Sequence, residues 1–175
     1  MDTIDSSTIQ EAKSQDQLLQ FADSCHIETQ IKTCNGRNKQ QQQMIAQKLV
    51  QIIYDAVPGA DKFITIPQFE QFLQQLQQKA ELHVEEAMRA VMLLQRFIAK
   101  QQKKNVRVIK VSNFGTLIIV SFILAMKLSQ EKTHNNQFFA EMFGIPLAHL
   151  NRSEISFLRI IDFELWVDIE TLITQ

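Results

Sequence analysis

The chain has 175 residues, of which 45% are hydrophobic and 21% are charged, and this is enough to bury one sizeable core. Four glycines and three prolines are too few to punctuate a mainly β fold, so the composition predicts an all-α protein. The formal net charge is only −1, so the chain has no strong overall charge with which to bind nucleic acid or an acidic membrane.

Residues 1 to 37 are a polar N-terminal extension with one short helical pattern. The apolar positions that would share a face of this short helix are Leu18, Phe21, Ala22 and Cys25. The segment from Asn35 to Asn38 is typical of a turn.

Acidic residues near Met1 exclude a secretory signal peptide, and two cysteines specify neither a disulfide framework nor a metal site. We therefore expect a location in the nucleus or the cytoplasm.

Three amphipathic helices are predicted next. The first ends at Val57-Pro58-Gly59, and the second begins with a capping box made by Thr65 and Gln68. The third has Glu85 and Glu86 in its first turn, where the helix dipole favours acids. Their apolar stripes are, in order, Ile45, Leu49, Ile52, Ile53 and Ala56; Phe69, Phe72, Leu73, Leu76 and Ala80; and Val84, Ala87, Met88, Val91, Leu94, Phe97 and Ile98.

A basic cluster follows the third helix, and no aromatic residues are interleaved through it. Its members are Lys100, Lys103, Lys104, Arg107 and Lys110. Without aromatic stacking platforms the cluster favours a solvated connection between helices over a nucleic-acid site.

An almost uninterrupted apolar run extends from Phe114 to Met126 and stops at Lys127. A helix that crosses a bilayer needs about 20 predominantly apolar residues, so the run is too short for a membrane. A helix that is apolar on nearly all sides is surrounded by other helices. The run is therefore predicted to be the central helix of the domain.

Two further helices complete the pattern. Asn135 or Asn136 caps the first, Gly144 closes it, and the second starts at Pro146 and ends near Asp162. The apolar stripe of that second helix is Leu147, Leu150, Leu158 and Ile161. Glu154 lies within this stripe at helical spacing. A carboxylate on an apolar face needs a cation, for which Lys127 is the candidate, or a face open to solvent or to a partner. The alternative is that Lys127 merely complements the dipole of its own helix and Glu154 is an ordinary surface acid.

The order of these motifs resembles a cyclin box, most closely that of the single-box cyclins of the phosphate-pathway (P/U) type. The residues that carry the resemblance are Lys127, Asn135-Asn136, Gly144-Ile145, Leu150-Asn151-x-x-Glu154, Phe157-Leu158 and Asp162-Phe163-x-Leu165. The match is dense over residues 115 to 167, looser from about 40 to 110, and absent from 1 to 37. The sequence departs from the family pattern at Gln95, where an Asp is usual, and at Leu128, where an aromatic residue is common.

The resemblance implies a five-helix box at residues 38–167, with a preceding helix, the extension 1–37 and a short tail 168–175. It implies a regulatory subunit, without catalytic residues, metal or cofactor, that binds and activates a cyclin-dependent serine/threonine kinase as a heterodimer. Lys127 and Glu154 would make polar contacts to the kinase, and Leu158, Phe163 and Leu165 would pack against its αC helix. Neither a membrane nor a nucleic acid is expected as a direct partner.

Two other classes of function compete with this prediction. A helical adaptor or a transcription-factor-like protein could use a cyclin-like fold without activating a kinase, since fold alone does not fix function. An enzyme is disfavoured because His83, His134 and His149 are scattered and form no His-Glu-x-x-His frame. Cys25 and His26 are adjacent, and adjacent side chains rarely face each other for proton transfer.

Overall fold

The computed structural model describes residues 36–167 of the chain. The predicted short helix from Leu18 to Cys25, almost all of the extension 1–37, and the tail 168–175 lie outside the described residues. The limits assigned to the extension, the box and the tail therefore stay predictions.

The described part is helical and contains no strand, which confirms the all-α class. A short 3₁₀ helix, Ala60–Lys62, separates the first two α-helices. The α-helices are α1 (Gly36–Ala56), α2 (Ile66–Ala80), α3 (Val84–Lys103), α4 (Phe114–Ser129), α5 (Asn136–Phe143) and α6 (Leu147–Ile160). Helices α2 to α6 correspond in order to the five helices of the predicted box, and α1 is the preceding helix.

The start of α1 differs from the prediction. The residues from Gly36 to Asn38 were predicted to lie in a turn, but they belong to the first turn of the helix. The glutamines and lysine that follow are good helix formers, and a single glycine in the first turn does not prevent the helix from starting there. The turn prediction at these residues is wrong.

The predicted helix starts of α2 and α5 are confirmed. The backbone N–H of Thr65 donates to Oε1 of Gln68 at 2.8 Å, which is one half of the capping box. Asn135 precedes α5, and its Oδ1 accepts from the N–H of Phe138 at 3.0 Å. Gly144 ends α5 in the left-handed conformation with φ of 61°, where a residue without Cβ avoids a steric cost.

Helix α4 is the centre of the fold. Every residue from Phe114 to Met126 is buried, so the prediction for the apolar run is confirmed. Its most extensive packing is against α3, and it also packs against α6. The ring of Phe122 meets that of Phe72 edge-on, with centroids 5.1 Å apart, a favourable aromatic geometry. None of the helices within residues 36–167 combines the length and apolar character needed to cross a membrane.

Candidate protein-binding site

The end of α4 and the middle of α6 meet at an ion pair between Lys127 and Glu154. Lys127 Nζ lies 2.5 Å from Oε1 of Glu154, and the side chains keep 30% and 14% of their surface exposed. Helix α4 is buried up to Met126, so Lys127 is the residue at which it reaches the surface. The structure thus brings together the two charged residues that the sequence singled out, and Lys127 is the cation that the half-buried carboxylate requires.

Two asparagines extend this pair into a network that joins three helices. Nδ2 of Asn136, at the start of α5, donates to Oε2 of Glu154 at 2.6 Å and to Oδ1 of Asn151 at 2.7 Å. The sequence identified these asparagines only as a helix cap and as part of a family motif. The three-residue interval between Asn151 and Glu154 was a usable signal, because residues at this spacing lie on one face of a helix.

The predicted apolar residues lie on α6 and just after it. Leu158 and Leu165 are partly buried against the core, and Phe163 keeps 64% of its surface exposed. The N–H of Phe163 donates to the carbonyl of Leu158 at 2.9 Å, and Phe163 has a left-handed φ of 57°. Trp166, 88% exposed, and Ile155, 49% exposed, add apolar surface on the same two segments, and no sequence pattern pointed to them.

Basic side chains of α3 and its C-terminal cap hold the segment after α6, Ile161 to Val167, in place. Lys100 pairs with Asp162 at 3.1 Å and with Glu164 at 2.7 Å, and Lys104 also pairs with Asp162. Arg96 donates to the backbone carbonyls of Glu164 and Trp166. The preference for a solvated connection over a nucleic-acid site stays a prediction. The pairing of Lys100 and Lys104 with acidic residues after α6 was not predicted.

These contacts shift the ionisation of the groups involved. Hydrogen bonds from Lys104 and Lys100 lower the pKa of Asp162, and the hydrogen bond from Lys100 lowers the pKa of Glu164. The hydrogen bonds to Glu164 and Asp162 raise the pKa of Lys100. All three groups are stabilised in their charged forms, so the segment after α6 is held by ionic contacts near neutral pH.

The groups at this edge can form ionic, hydrogen-bonding and apolar contacts. The edge presents a paired cation and carboxylate on α4 and α6, and exposed or partly exposed apolar side chains on α6 and in the segment after it. Among the described residues, no cluster of three or more His, Cys, Asp or Glu side chains could hold a metal ion. His83 precedes α3, His134 stacks on Phe138 ahead of α5, and His149 lies in α6, so the three histidines stand on different parts of the fold.

Comparison with known proteins gives a consistent result. The family model described as Cyclin matches residues 5–165. Cyclin-P3-1 of Oryza sativa subsp. japonica is 40% identical over 55 residues, which cover 31% of this chain and 23% of the relative. Cyclin-U4-2 of Arabidopsis thaliana is 38% identical over 82 residues, which cover 47% of this chain and 37% of the relative.

Cyclin-U3-1 of Arabidopsis thaliana is a further relative, 36% identical over 67 residues that cover 38% of this chain and 30% of the relative. The chain thus spans between 23% and 37% of the length of these three relatives. The P-type and U-type names agree with the resemblance found in the motifs.

Proposed function

The chain belongs to the cyclin family, and we propose that it is a regulatory subunit that binds and activates a cyclin-dependent serine/threonine protein kinase. In this proposal the chain performs no covalent chemistry itself. It docks on the αC helix of the kinase through the edge formed by the end of α4, by α6 and by the segment after α6.

The observation that carries the proposal is the Lys127–Glu154 pair at a partly exposed edge. An ammonium group has three N–H donors, and the contact with Glu154 uses one of them within the described part of the chain. Each carboxylate oxygen of Glu154 accepts one bond from the described residues, so acceptor capacity also remains. The pair can therefore bind backbone groups of a partner without breaking its own contact.

The apolar residues beside this pair would supply most of the affinity. Exposed aromatic side chains are frequent energetic hot spots in protein interfaces, whereas charged groups contribute more to orientation and specificity. Phe163 is largely exposed, and Leu158 and Leu165 are each partly accessible. We assign Phe163, Leu158 and Leu165 to the contact with αC, and Lys127 and Glu154 to its orientation.

Activation would follow from a shift between two kinase conformations. In the active form αC lies inward, and its glutamate pairs with the strand lysine that contacts the ATP phosphates. A partner that binds the inward form better than the outward form raises the population of the active form by that difference in affinity. The edge formed by α4, α6 and the segment after α6 would favour the inward αC in this way.

The charge distribution does not favour the transcription-factor-like alternative. Such a protein would need a basic face free to meet phosphates. Lys100 and Lys104 are instead paired with Asp162 and Glu164. The basic cluster is therefore partly neutralised within the chain.

Titration calorimetry and a kinase assay test the proposal directly. The full chain would be titrated into a panel of purified cyclin-dependent kinases, and phosphorylation of a peptide substrate would be measured with and without the chain. We expect at least one kinase to bind with a Kd of about 1 μM or tighter and to become more active. If no kinase of the panel is bound or stimulated by the folded chain, the proposal is wrong.

A further inference from the structure

The side-chain amide of Asn136 occupies an unusual position in the network around Glu154. Its Nδ2 has two N–H groups, and both are used, one on Oε2 of Glu154 and the other on Oδ1 of Asn151. Its Oδ1 is buried and meets no hydrogen-bond donor in the described part of the chain. Leaving a buried acceptor without a donor is unfavourable, so such groups in native proteins require an explanation.

The neighbouring groups fix the orientation of this amide. If the amide were turned over, Oδ1 would face the carboxylate of Glu154 and the carbonyl oxygen of Asn151, which are both acceptors. Two acceptors in contact repel each other, and both hydrogen bonds would be lost. The amide must therefore keep its donors towards Glu154, and the unpaired Oδ1 is the consequence.

We propose that Asn136 is a positioning residue for the kinase-binding edge, and that it holds the Glu154 carboxylate in the orientation required by the partner. This inference rests on the proposed function. Lys127 binds Oε1 and Asn136 binds Oε2, so the two oxygens are held from different helices and the carboxylate cannot rotate without breaking one contact. Holding the carboxylate before binding removes the entropic cost of ordering it in the complex.

The adjacent asparagine provides a matched control. Asn135 has the same side chain one residue earlier, but it caps α5 by accepting from the N–H of Phe138 and has no described contact with Glu154. The two residues thus separate a role in helix stability from a role in orienting the carboxylate. Each is replaced by alanine in the full chain, and both affinity for the cyclin-dependent kinase bound by the wild type and thermal stability are measured.

We expect Asn136→Ala to raise the Kd for the kinase about tenfold, because the Glu154 carboxylate is no longer held at Oε2 and must be ordered when the partner binds. The thermal midpoint of this variant should fall no further than that of the control, since the unpaired Oδ1 is removed as well. Asn135→Ala should lower the midpoint by about 2–4 °C through loss of the cap and change the Kd less than about twofold. Asn151→Ala, which removes the second acceptor of the amide, should weaken binding in the same direction by a smaller factor.

A spectroscopic signature tests the contact independently of the kinase. In nuclear magnetic resonance spectra, one Nδ2 proton of Asn136 should be shifted downfield by the carboxylate, and the shift should shrink in Glu154→Gln. Wild-type affinity in Asn136→Ala, or an equal loss of affinity in Asn135→Ala, would overturn the positioning role. If the wild type binds no kinase, the proposed function fails instead, while the amide resonance still reports whether Asn136 holds Glu154.

Discussion

Phe163 combines exposure with a constrained backbone. It lies at a left-handed φ of 57°, and its N–H is bound by the carbonyl of Leu158, yet 64% of its surface faces solvent. Because the backbone at Phe163 is fixed before binding, less entropy is lost when a partner covers the exposed ring. At the scale of single residues, this makes Phe163 the part of the proposed interface that can be altered with the least effect on the fold.

Replacing Phe163 by alanine should therefore affect binding more than stability. We expect the Kd for the kinase to rise about 10–30-fold, the size of a typical aromatic hot spot. The free energy of unfolding should change by less than about 0.5 kcal/mol, as for other exposed positions. Calorimetry and urea denaturation measure the two quantities. Met44→Ala is the control, because Met44 is 56% exposed on α1 and lies outside the proposed interface. Equal affinities of the two variants would remove Phe163 from the contact.

At the scale of elements, the segment after α6 depends on partners from α3. Asp162 and Glu164 both accept hydrogen bonds from Lys100, which lies 62 and 64 residues away in the sequence. Side-chain contacts of this kind cannot be predicted from helical periodicity, which relates only residues three or four apart. Helix starts are local, so the caps at Thr65 and Asn135 were predictable, whereas the ionic contacts after α6 were not.

The Lys127–Glu154 pair is a long-range contact that could nevertheless be predicted from the sequence. Lys127 and Glu154 could be predicted as partners because each interrupts an apolar pattern and each needs a charge of opposite sign. The role of Asn136 was not predictable in the same way. Its position suits a helix cap equally well, and only the folded structure distinguishes it from its neighbour Asn135.

The ionic contacts of this segment should respond to pH. The pKa values of Asp162 and Glu164 are lowered from 3.8 and 4.5, so their stabilising effect is complete above about pH 4.5 and is lost as the pH falls through the lowered values. The pKa of Lys100 is raised from 10.5, so its contribution is complete below that pH and is lost as the pH rises through the raised value.

Fluorescence anisotropy of Trp166, the sole tryptophan of the chain, can follow this release. We expect anisotropy to be constant near neutral pH and to fall in acid before the helical circular dichroism signal is lost. High salt should lower the anisotropy at neutral pH, because exposed ion pairs are screened. The Asp162→Asn/Glu164→Gln double variant should give low anisotropy already at neutral pH. A wild-type profile in that variant would mean that the ionic contacts do not hold the segment.

At the scale of the whole molecule, the described helices are arranged around the buried helix α4. The buried helix ends in Lys127 at the surface, and α6 presents Glu154 and Leu158 beside it. The family was predictable because several motifs occur in the expected order over residues 115 to 167, and the match over residues 5–165 confirms it.

The most direct test of the proposed interface is the exchange of the two charges at the edge. Lys127→Glu and Glu154→Lys alone each place like charges together, so both should lower the thermal midpoint. The double exchange restores attraction within the chain, and its midpoint should recover towards the wild type. A partner that requires the original arrangement will still be repelled, so the Kd for the kinase should remain at least about thirtyfold higher. If the double variant binds and activates the kinase as well as the wild type does, Lys127 and Glu154 do not orient the complex.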